Sequence, residues 1–266
     1  MDLGLDGRAC AVTGASRGIG RETAQLLCAE GARVLLIARS EDAVAEAAEE
    51  SAKEGGEAQS LALDVTAADA GERILAEAQR RFGGLEVLVN NAGTAQRRDL
   101  DEVPDEDWER QLELNVMAPM RAMRAAAPAM AERGWGRIVN VCSSAAKRPS
   151  GSTPEYSVAK AAELSLSRLF ADRYAKRGVL VNAVCPGPVA SELWMEAGGL
   201  LDQARELGGH GSREEALEAV GAERPIGRLA EPGEIAAAIV FLCSEQASYV
   251  AGAAWSVDGG TVQVII

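Results

Sequence analysis

The feature that most constrains the fold of this chain is a regular alternation between short apolar runs and longer charged, alanine-rich stretches. The apolar runs are nearly continuous, as is typical of parallel strands covered on both faces. The stretches between them, such as GRETAQLLCAEG (20–31), have helical periodicity. The alternation predicts an α/β fold with a doubly wound parallel sheet, right-handed crossovers and helices on both faces. The predicted strands are 8–13, 33–38, 59–65, 85–91, 136–143, 179–187 and 253–260.

The domain organisation follows from the absence of repeats, low-complexity tracts and linkers in the sequence. We therefore expect residues 1–266 to form a single domain. The rhythm breaks at about 190–228, where helical fragments are separated by the glycine pairs 198–199 and 208–209. Long insertions of this kind are often lids over active sites, so we predict a substrate lid here.

The composition limits the classes of partner. Forty acidic residues against 27 basic ones give a net charge of −13, which disfavours nucleic acid and anionic membranes as partners. No apolar run approaches the ~20 residues of a membrane-spanning helix, and the N-terminal residues do not resemble a signal peptide. Five dispersed cysteines favour reduced thiols in the cytoplasm. His210 is the single histidine, so we expect neither a metal site nor a Ser-His-Asp triad.

A glycine-rich segment, VTGASRGIGRET (12–23), follows the first predicted strand and opens the first predicted helix. Gly14, Gly18 and Gly20 are spaced G-x-x-x-G-x-G. Glycine permits a tight turn and a close approach of the backbone to a pyrophosphate. The helix N-terminus supplies amide donors and a positive dipole for the phosphates. The segment predicts a dinucleotide-binding site.

The residues after the second predicted strand bear on the choice of dinucleotide. An NAD site uses a carboxylate about 20 residues after the glycine loop to bind the ribose 2′-hydroxyl. This chain has Ala38 and Arg39 at that position, with no acid before Glu41. Arg39 and Arg17 are suited to a 2′-phosphate. We therefore predict that NADP(H) is preferred, with NAD(H) possible.

The segment STPEYSVAKAA (152–162) places Tyr156 one helical turn before Lys160. Thr153 and Pro154 fit an N-cap and a first-turn proline. An ammonium near a phenol lowers the pKa of the phenol from about 10, which would create a proton donor for neutral pH. From this segment alone, an amphipathic pair on an ordinary helix is the simpler interpretation.

Several further motifs occur in a specific order, and together they carry a family resemblance. They are LDVT (63–66), NNAG (90–93), LNV (114–116), VNVCSS (139–144), CPGPV (185–189) and SVDGG (256–260). With T-G-x-x-x-G-I-G and Y-x-x-x-K, the chain resembles the short-chain dehydrogenase/reductase family from about residue 5 to 261. It is similar to the 3-oxoacyl-(acyl-carrier-protein) reductases among its members. The resemblance implies a single-domain Rossmann fold with seven parallel strands, a nicotinamide cofactor and a homotetramer.

The resemblance also implies the residues of the site. The catalytic set would be Asn115, Ser143, Tyr156 and Lys160. Ser191 stands where the family often has a threonine that binds the carboxamide. The cofactor-binding set would be Gly14, Ser16, Arg17, Gly18, Ile19, Gly20, Arg39, Asp64, Val65, Asn91, Ala92, Gly93, Tyr156, Lys160, Pro186, Gly187, Val189 and Ser191.

The activity expected from these residues is reversible hydride transfer between NADP(H) and a small-molecule carbonyl or secondary alcohol. Tyr156 would donate the proton, and Lys160 would lower the phenol pKa and bind the nicotinamide ribose. Ser143 would polarise the carbonyl, and Asn115 would position a water. The alternatives are an NAD-linked alcohol dehydrogenase and a non-catalytic dinucleotide-binding regulator.

The sequence leaves the substrate and the direction of reaction open. Trp194 and Met195 are candidates for an apolar lid, and Gln96, Lys147 and Ser150 for the border of the pocket. Arg133 and Arg177 stand near the positions at which related reductases bind an acidic carrier protein. Arg133 is displaced by one residue, and the protein is itself acidic, so a carrier protein is not predicted.

Overall fold

A parallel sheet of seven strands forms the centre of the molecule. A computed structural model describes residues 1–263. The strands are β1 (Ala9–Thr13), β2 (Arg33–Ala38), β3 (Glu57–Ala62), β4 (Val87–Asn90), β5 (Gly136–Val141), β6 (Val179–Pro186) and β7 (Ala254–Val257). Their order is β3-β2-β1-β4-β5-β6-β7, and every neighbouring pair is parallel. The structure therefore confirms the predicted α/β class and doubly wound topology.

Helices cover both faces of the sheet. The apolar sides of α1, α2 and α11 pack on one face, and those of α3, α5 and α7 pack on the other. The helices are α1 (Gly18–Ala29), α2 (Glu41–Ala52), α3 (Ala70–Phe82), α4 (Asp105–Leu112), α5 (Ala118–Glu132), α6 (Ser144–Lys147), α7 (Pro154–Tyr174), α8 (Glu192–Met195), α9 (Leu200–Gly208), α10 (Arg213–Ala222) and α11 (Pro232–Cys243). No helix among residues 1–263 is long and apolar enough to cross a membrane.

The edge strand β3 differs from its prediction. It occupies 57–62 rather than 59–65, and its side chains are half-buried or exposed instead of forming a continuous apolar run. The reason is its position at the edge, because among residues 1–263 β3 pairs with β2 alone. By contrast, every residue of β1 and β5 is buried.

The strand order reverses between β1 and β4, and this reversal positions the site. In an open α/β sheet, ligands bind beyond the carboxyl ends of the strands at such a point. The glycine loop follows β1, and the NNAG motif follows β4. Ser143 and the P-G motif follow β5 and β6 at the same edge.

The segment 190–228, called the insertion below, contains α8, α9 and α10. It contributes most of a small apolar cluster, in which Ala204 and Val220 pack with Leu229, directly after the insertion, and Trp194 contacts them. Gly198 and Gly209 end its turns with φ angles of 77° and 67°, a region that favours glycine. Trp194 thus contributes to packing within the insertion, while Met195 is 37% exposed.

Candidate active site

The loop after β1 is held against the loop after β4 by hydrogen bonds. The Thr13 hydroxyl accepts from the backbone N–H groups of Asn91 (2.9 Å) and Ala92 (3.1 Å). The Asn91 amide donates to the carbonyls of Thr13 (2.9 Å) and Gly14 (3.2 Å). A Cβ on Gly14 would lie 2.8 Å from the Cα of Ala92. Glycine therefore lets the two loops touch, at a φ of 66°.

The N-terminus of α1 is left open toward a ligand. Arg17 is the N-cap residue and makes no side-chain cap hydrogen bond, and the first turn of α1 contains no acid. A cap side chain would satisfy one of the free amides of the first turn. A Cβ on Gly20 would lie 2.4 Å from the Gly14 carbonyl oxygen, so the turn closes tightly only with glycine. This cradle fits the pyrophosphate of a dinucleotide.

The two arginines predicted at the 2′-phosphate lie in different surroundings. Arg39 is exposed directly after β2, close enough to Asp64 to lower the pKa of that carboxyl, which Thr66 lowers more strongly through hydrogen bonds. Arg17 instead pairs with Glu196 of the insertion at 2.8 Å. The structure thus associates Arg39 with the end of β3 and Arg17 with the insertion.

Helix α7 presents Tyr156 and Lys160 on one face. It begins at Pro154 after Thr153, whose side chain makes no cap hydrogen bond. The ammonium of Lys160 lies 5.8 Å from the centre of the Tyr156 ring. Lys160 is 3% exposed and donates to the Val141 carbonyl and to Glu163, both at 2.8 Å. Tyr156 is half-buried.

Asn115 reaches the same place from a distorted turn. Residues Glu113–Met117 form a π-helical turn between α4 and α5, a feature often found at functional sites. The Asn115 amide donates to the Gln111 backbone carbonyl (3.2 Å) and side-chain oxygen (2.6 Å). Its own Oδ1 is buried and has no hydrogen-bond partner within 1–263. A Cβ on Gly93 would lie 3.2 Å from this Oδ1 and 3.7 Å from the Lys160 ammonium nitrogen, so both groups lie next to Gly93.

Burial and charge oppose each other at the phenol of Tyr156. Burial raises its pKa, while Lys160 and the Ser143 hydroxyl lower it, and the net shift is upward from the ordinary value. The expected lowering by Lys160 is present, and burial outweighs it in the net shift. For Lys160 itself, burial lowers the pKa, but Glu163 and the phenol raise it above its ordinary value.

The motifs after β6 and β7 pack together. A Cβ on Gly187 would lie 2.8 Å from the Asp258 carbonyl oxygen, so the P-G turn rests on the SVDGG loop. Val189 pairs with Ala230 in an isolated parallel bridge. Ser191 follows and lies beside Gly18, where a Cβ on the glycine would be 3.2 Å from the serine Cβ.

A cavity of about 440 Å³ opens between α1 and the insertion, lined in part by Gly18, Ser191 and Met195. Its lining does not include Tyr156 or Lys160, so it lies beside the glycine loop rather than at the proposed reacting groups.

Of the candidates for the border of the substrate pocket, Lys147 is turned toward β7. Its ammonium donates to the Ala254 carbonyl (2.6 Å) and the Ser256 hydroxyl (2.9 Å).

Comparison with known proteins decides the family. The family model described as enoyl-(acyl carrier protein) reductase matches residues 14–262. The galactitol 2-dehydrogenase (L-tagatose-forming) of Cereibacter sphaeroides is 40% identical over 259 residues, 96% of this chain and 95% of that protein. The 3-oxoacyl-(acyl-carrier-protein) reductase of Escherichia coli is 34% identical over 262 residues, 98% of this chain and 100% of that protein. The chain belongs to the short-chain dehydrogenase/reductase family.

A solved structure supports the same assignment for this dehydrogenase/reductase. The L-sorbose reductase of Gluconobacter frateurii, crystallised with NADPH and L-sorbose, superposes with a TM-score of 0.92. It is 36% identical, and each chain is covered completely.

One buried charged residue near the site of this dehydrogenase/reductase has no place in the sequence interpretation. Glu163 binds Lys160 and is 2% exposed. Its signal was the spacing in KAAE, because residues three apart on a helix are neighbours. That spacing is also common on exposed helix faces, so only the packing of α7 makes Glu163 notable.

Proposed function

We propose that this dehydrogenase/reductase uses NADP(H) to interconvert a ketone and a secondary alcohol through Asn115, Ser143, Tyr156 and Lys160. The observation that carries the proposal is that the side chains of Lys160 and Asn115 both lie next to Gly93. Lys160 is in turn one helical turn after Tyr156 on α7, with its ammonium near the Tyr156 ring. The open N-terminus of α1 and the glycine contacts described above fit the dinucleotide. When bound, the nicotinamide supplies or accepts the hydride.

The protein side chains would supply the proton that reduction requires. In reduction, the Tyr156 phenol donates its proton to the oxygen of the substrate as negative charge develops there. Ser143 donates a hydrogen bond to the same oxygen. Lys160 stabilises the phenolate that Tyr156 leaves behind. The Oδ1 of Asn115, which has no hydrogen-bond partner among residues 1–263, is suited to hold a water that returns protons toward Lys160.

The preference for NADP(H) rests on the end of β2. Arg39 is exposed there, and the chain has no carboxylate at Ala38 or Arg39 to bind a 2′-hydroxyl. Arg17 would add a second contact after release from Glu196. An NAD-linked alcohol dehydrogenase is the alternative, and titration of both cofactors distinguishes the two.

The substrate class we favour is a small polyhydroxylated ketone or the corresponding polyol. Two of the similar proteins carry names of this kind, a galactitol 2-dehydrogenase and an L-sorbose reductase. A 3-oxoacyl thioester is the second candidate, because a similar protein reduces the 3-oxoacyl group on a carrier. Arg133 disfavours carrier docking, since its guanidinium donates to the Gly83 carbonyl (2.8 Å) and to Gln79 of its own subunit.

The test is a panel of ketoses and 3-oxoacyl thioesters assayed with NADPH and with NADH. We expect turnover of at least one ketose, with NADPH more efficient than NADH. NADPH binding without turnover of any carbonyl or alcohol would instead favour the non-catalytic regulator. All five cysteines are buried, and a cytoplasmic location, in which thiols stay reduced, is part of the proposal.

A further inference from the structure

Glu163 is a buried carboxylate that the proposed reaction does not use. It follows Lys160 by three residues on α7, and its Oε2 accepts from the Lys160 ammonium at 2.8 Å. Lys160 and Glu163 are 3% and 2% exposed. Burying an ion pair is costly unless the geometry and the remaining hydrogen bonds are good. Here the ammonium has a second acceptor in the Val141 carbonyl at 2.8 Å.

The groups around this pair lie on several elements. From the sheet, Cys142 and Ser143 after β5 and Cys185 on β6 interact with this pair or with Tyr156. On α6, Lys147 is bonded to Ala254 and Ser256.

On the helices packed against α7, the charged side chains that are at least half-buried have partners, whereas Asp105, Glu106 and Glu109 on α4 and Arg124 and Glu132 on α5 are exposed. On α4, Asp107 pairs with Arg98 and Arg110. In the π-helical turn, Glu113 pairs with Arg121. Glu163 is therefore the carboxylate that faces Lys160 within the described part of the chain.

We propose that Glu163 is a positioning residue that keeps Tyr156 and Lys160 protonated together, and so extends carbonyl reduction to higher pH. This inference rests on the proposed function, in which reduction requires the phenol proton and the ammonium at the same time. Glu163 acts on the substrate only through these two groups.

The direction in which Glu163 changes the pKa values of its neighbours follows from elementary electrostatics. The negative charge of Glu163 raises the pKa of Lys160 and of Tyr156, in the direction opposite to the effect of burial on Lys160. Two coupled acids lose their first proton with an apparent pKa that belongs to the pair. Removing a nearby negative charge lowers that first pKa, whichever group releases the proton. Reduction needs both protons, so the pH above which activity is lost would then be lower.

The test is the pH dependence of kcat/KM for reduction by Glu163→Gln, which keeps the size of the side chain but removes its charge. We expect its alkaline limb to lie about one to two pH units below that of the wild type, the shift typical of a close charge. Glu155→Gln is the matched control, because Glu155 is equally buried on α7, at 2% exposure. Its Oε2 has no hydrogen-bond partner within residues 1–263. The control should leave the limb in place.

A second measurement does not depend on turnover. Ultraviolet titration of tyrosinate, with Tyr156→Phe as the background, follows the phenol of Tyr156 directly. We expect its apparent pKa to be lower in Glu163→Gln than in the wild type. Glu163→Asp, which draws the carboxylate back by one methylene, should give a smaller shift in the same direction and serves as the test if Glu163→Gln does not fold.

The outcomes separate this inference from the proposed function. The role of Glu163 would be overturned if the apparent pKa of Tyr156 and the alkaline limb of kcat/KM stayed in place, or moved upward, in the Glu163 variants. The proposed function would still stand in that case, because the variants would still turn over substrate. A wild-type protein that reduces no carbonyl would overturn the proposed function, and the titration would still decide whether Glu163 holds the protons.

Discussion

At the scale of single residues, the surroundings of Tyr156 make opposing contributions to the pKa of its phenol. Burial raises the phenol pKa and holds the proton, while Lys160 and Ser143 lower it and ease its release. The half-buried phenol can therefore act in reduction while it stays protonated at neutral pH.

Replacing Tyr156 with Phe tests this role directly. Phe keeps the ring and its packing but removes the proton that the mechanism delivers to the substrate oxygen. We expect turnover to fall by a factor on the order of 10² to 10⁴, the usual worth of a positioned general acid. NADPH affinity, measured by fluorescence titration, should remain near that of the wild type. Near wild-type reduction of a true substrate would contradict the assignment.

Replacing Arg39 with Ala tests the cofactor preference. A charge-assisted hydrogen bond contributes about 1.5–3 kcal/mol, so NADPH affinity should fall by roughly tenfold to a hundredfold. NADH affinity should change little, because NADH lacks the 2′-phosphate. Lys53→Ala is the control, since it removes the same charge from the exposed end of α2. An equal loss of affinity for NADPH and NADH would show that Arg39 does not bind the 2′-phosphate.

At the scale of elements, the insertion meets the glycine loop through the contact of Ser191 with Gly18 and through one exposed ion pair. Arg17 and Glu196 have side chains that are each 55% exposed, and such pairs contribute about 0–1 kcal/mol. The cluster around Ala204 and Val220 packs the insertion mainly on itself. We infer that the insertion moves as a lid, with Gly198 and Gly209 at its turns.

Hydrogen exchange of the intact protein tests the lid. Residues 190–221 should exchange faster than the sheet, and NADPH together with substrate should slow their exchange, because closure removes backbone amides from solvent. The helix α3, on the opposite face of the sheet from α1, provides the internal reference. Equal protection of the insertion with and without ligands would exclude the lid.

At the scale of the whole molecule, α7 and the region around the π-helical turn leave apolar side chains uncovered. Val158 and Leu169 on α7 are 50% and 67% exposed, and Leu112 and Met117 are 40% and 36% exposed. Scattered exposed apolar residues are normal. Four of them on α7 and around the adjoining π-helical turn favour a subunit interface, in agreement with the homotetramer expected from the family resemblance.

Light scattering tests the assembly. We expect a tetramer at micromolar concentration, and Val158→Glu should lower the mass because it places a charge in the proposed interface. Leu207→Glu is the matched control, since Leu207 is 67% exposed on α9 of the insertion and should leave the mass unchanged. A monomeric wild type would contradict the prediction.

Local patterns in the sequence were sufficient for the order of the strands and helices, the α/β class and the glycine loop. They were also sufficient to place Tyr156 and Lys160 on one face of a helix. Each of these depends on residues within a few positions of one another, where period and turn chemistry act. The edge position of β3 was beyond such patterns, because it is set by which strands become neighbours.

Only the tertiary structure decided the details of the site. The hydrogen bond from the Asn91 backbone to the Thr13 hydroxyl joins residues 78 positions apart. The pairing of Arg17 with Glu196 joins residues 179 positions apart. The upward shift of the Tyr156 pKa and the buried contact of Lys160 with Glu163 depend on burial. Burial is the sum of contacts from elements distant in sequence, so no spacing within α7 could determine it.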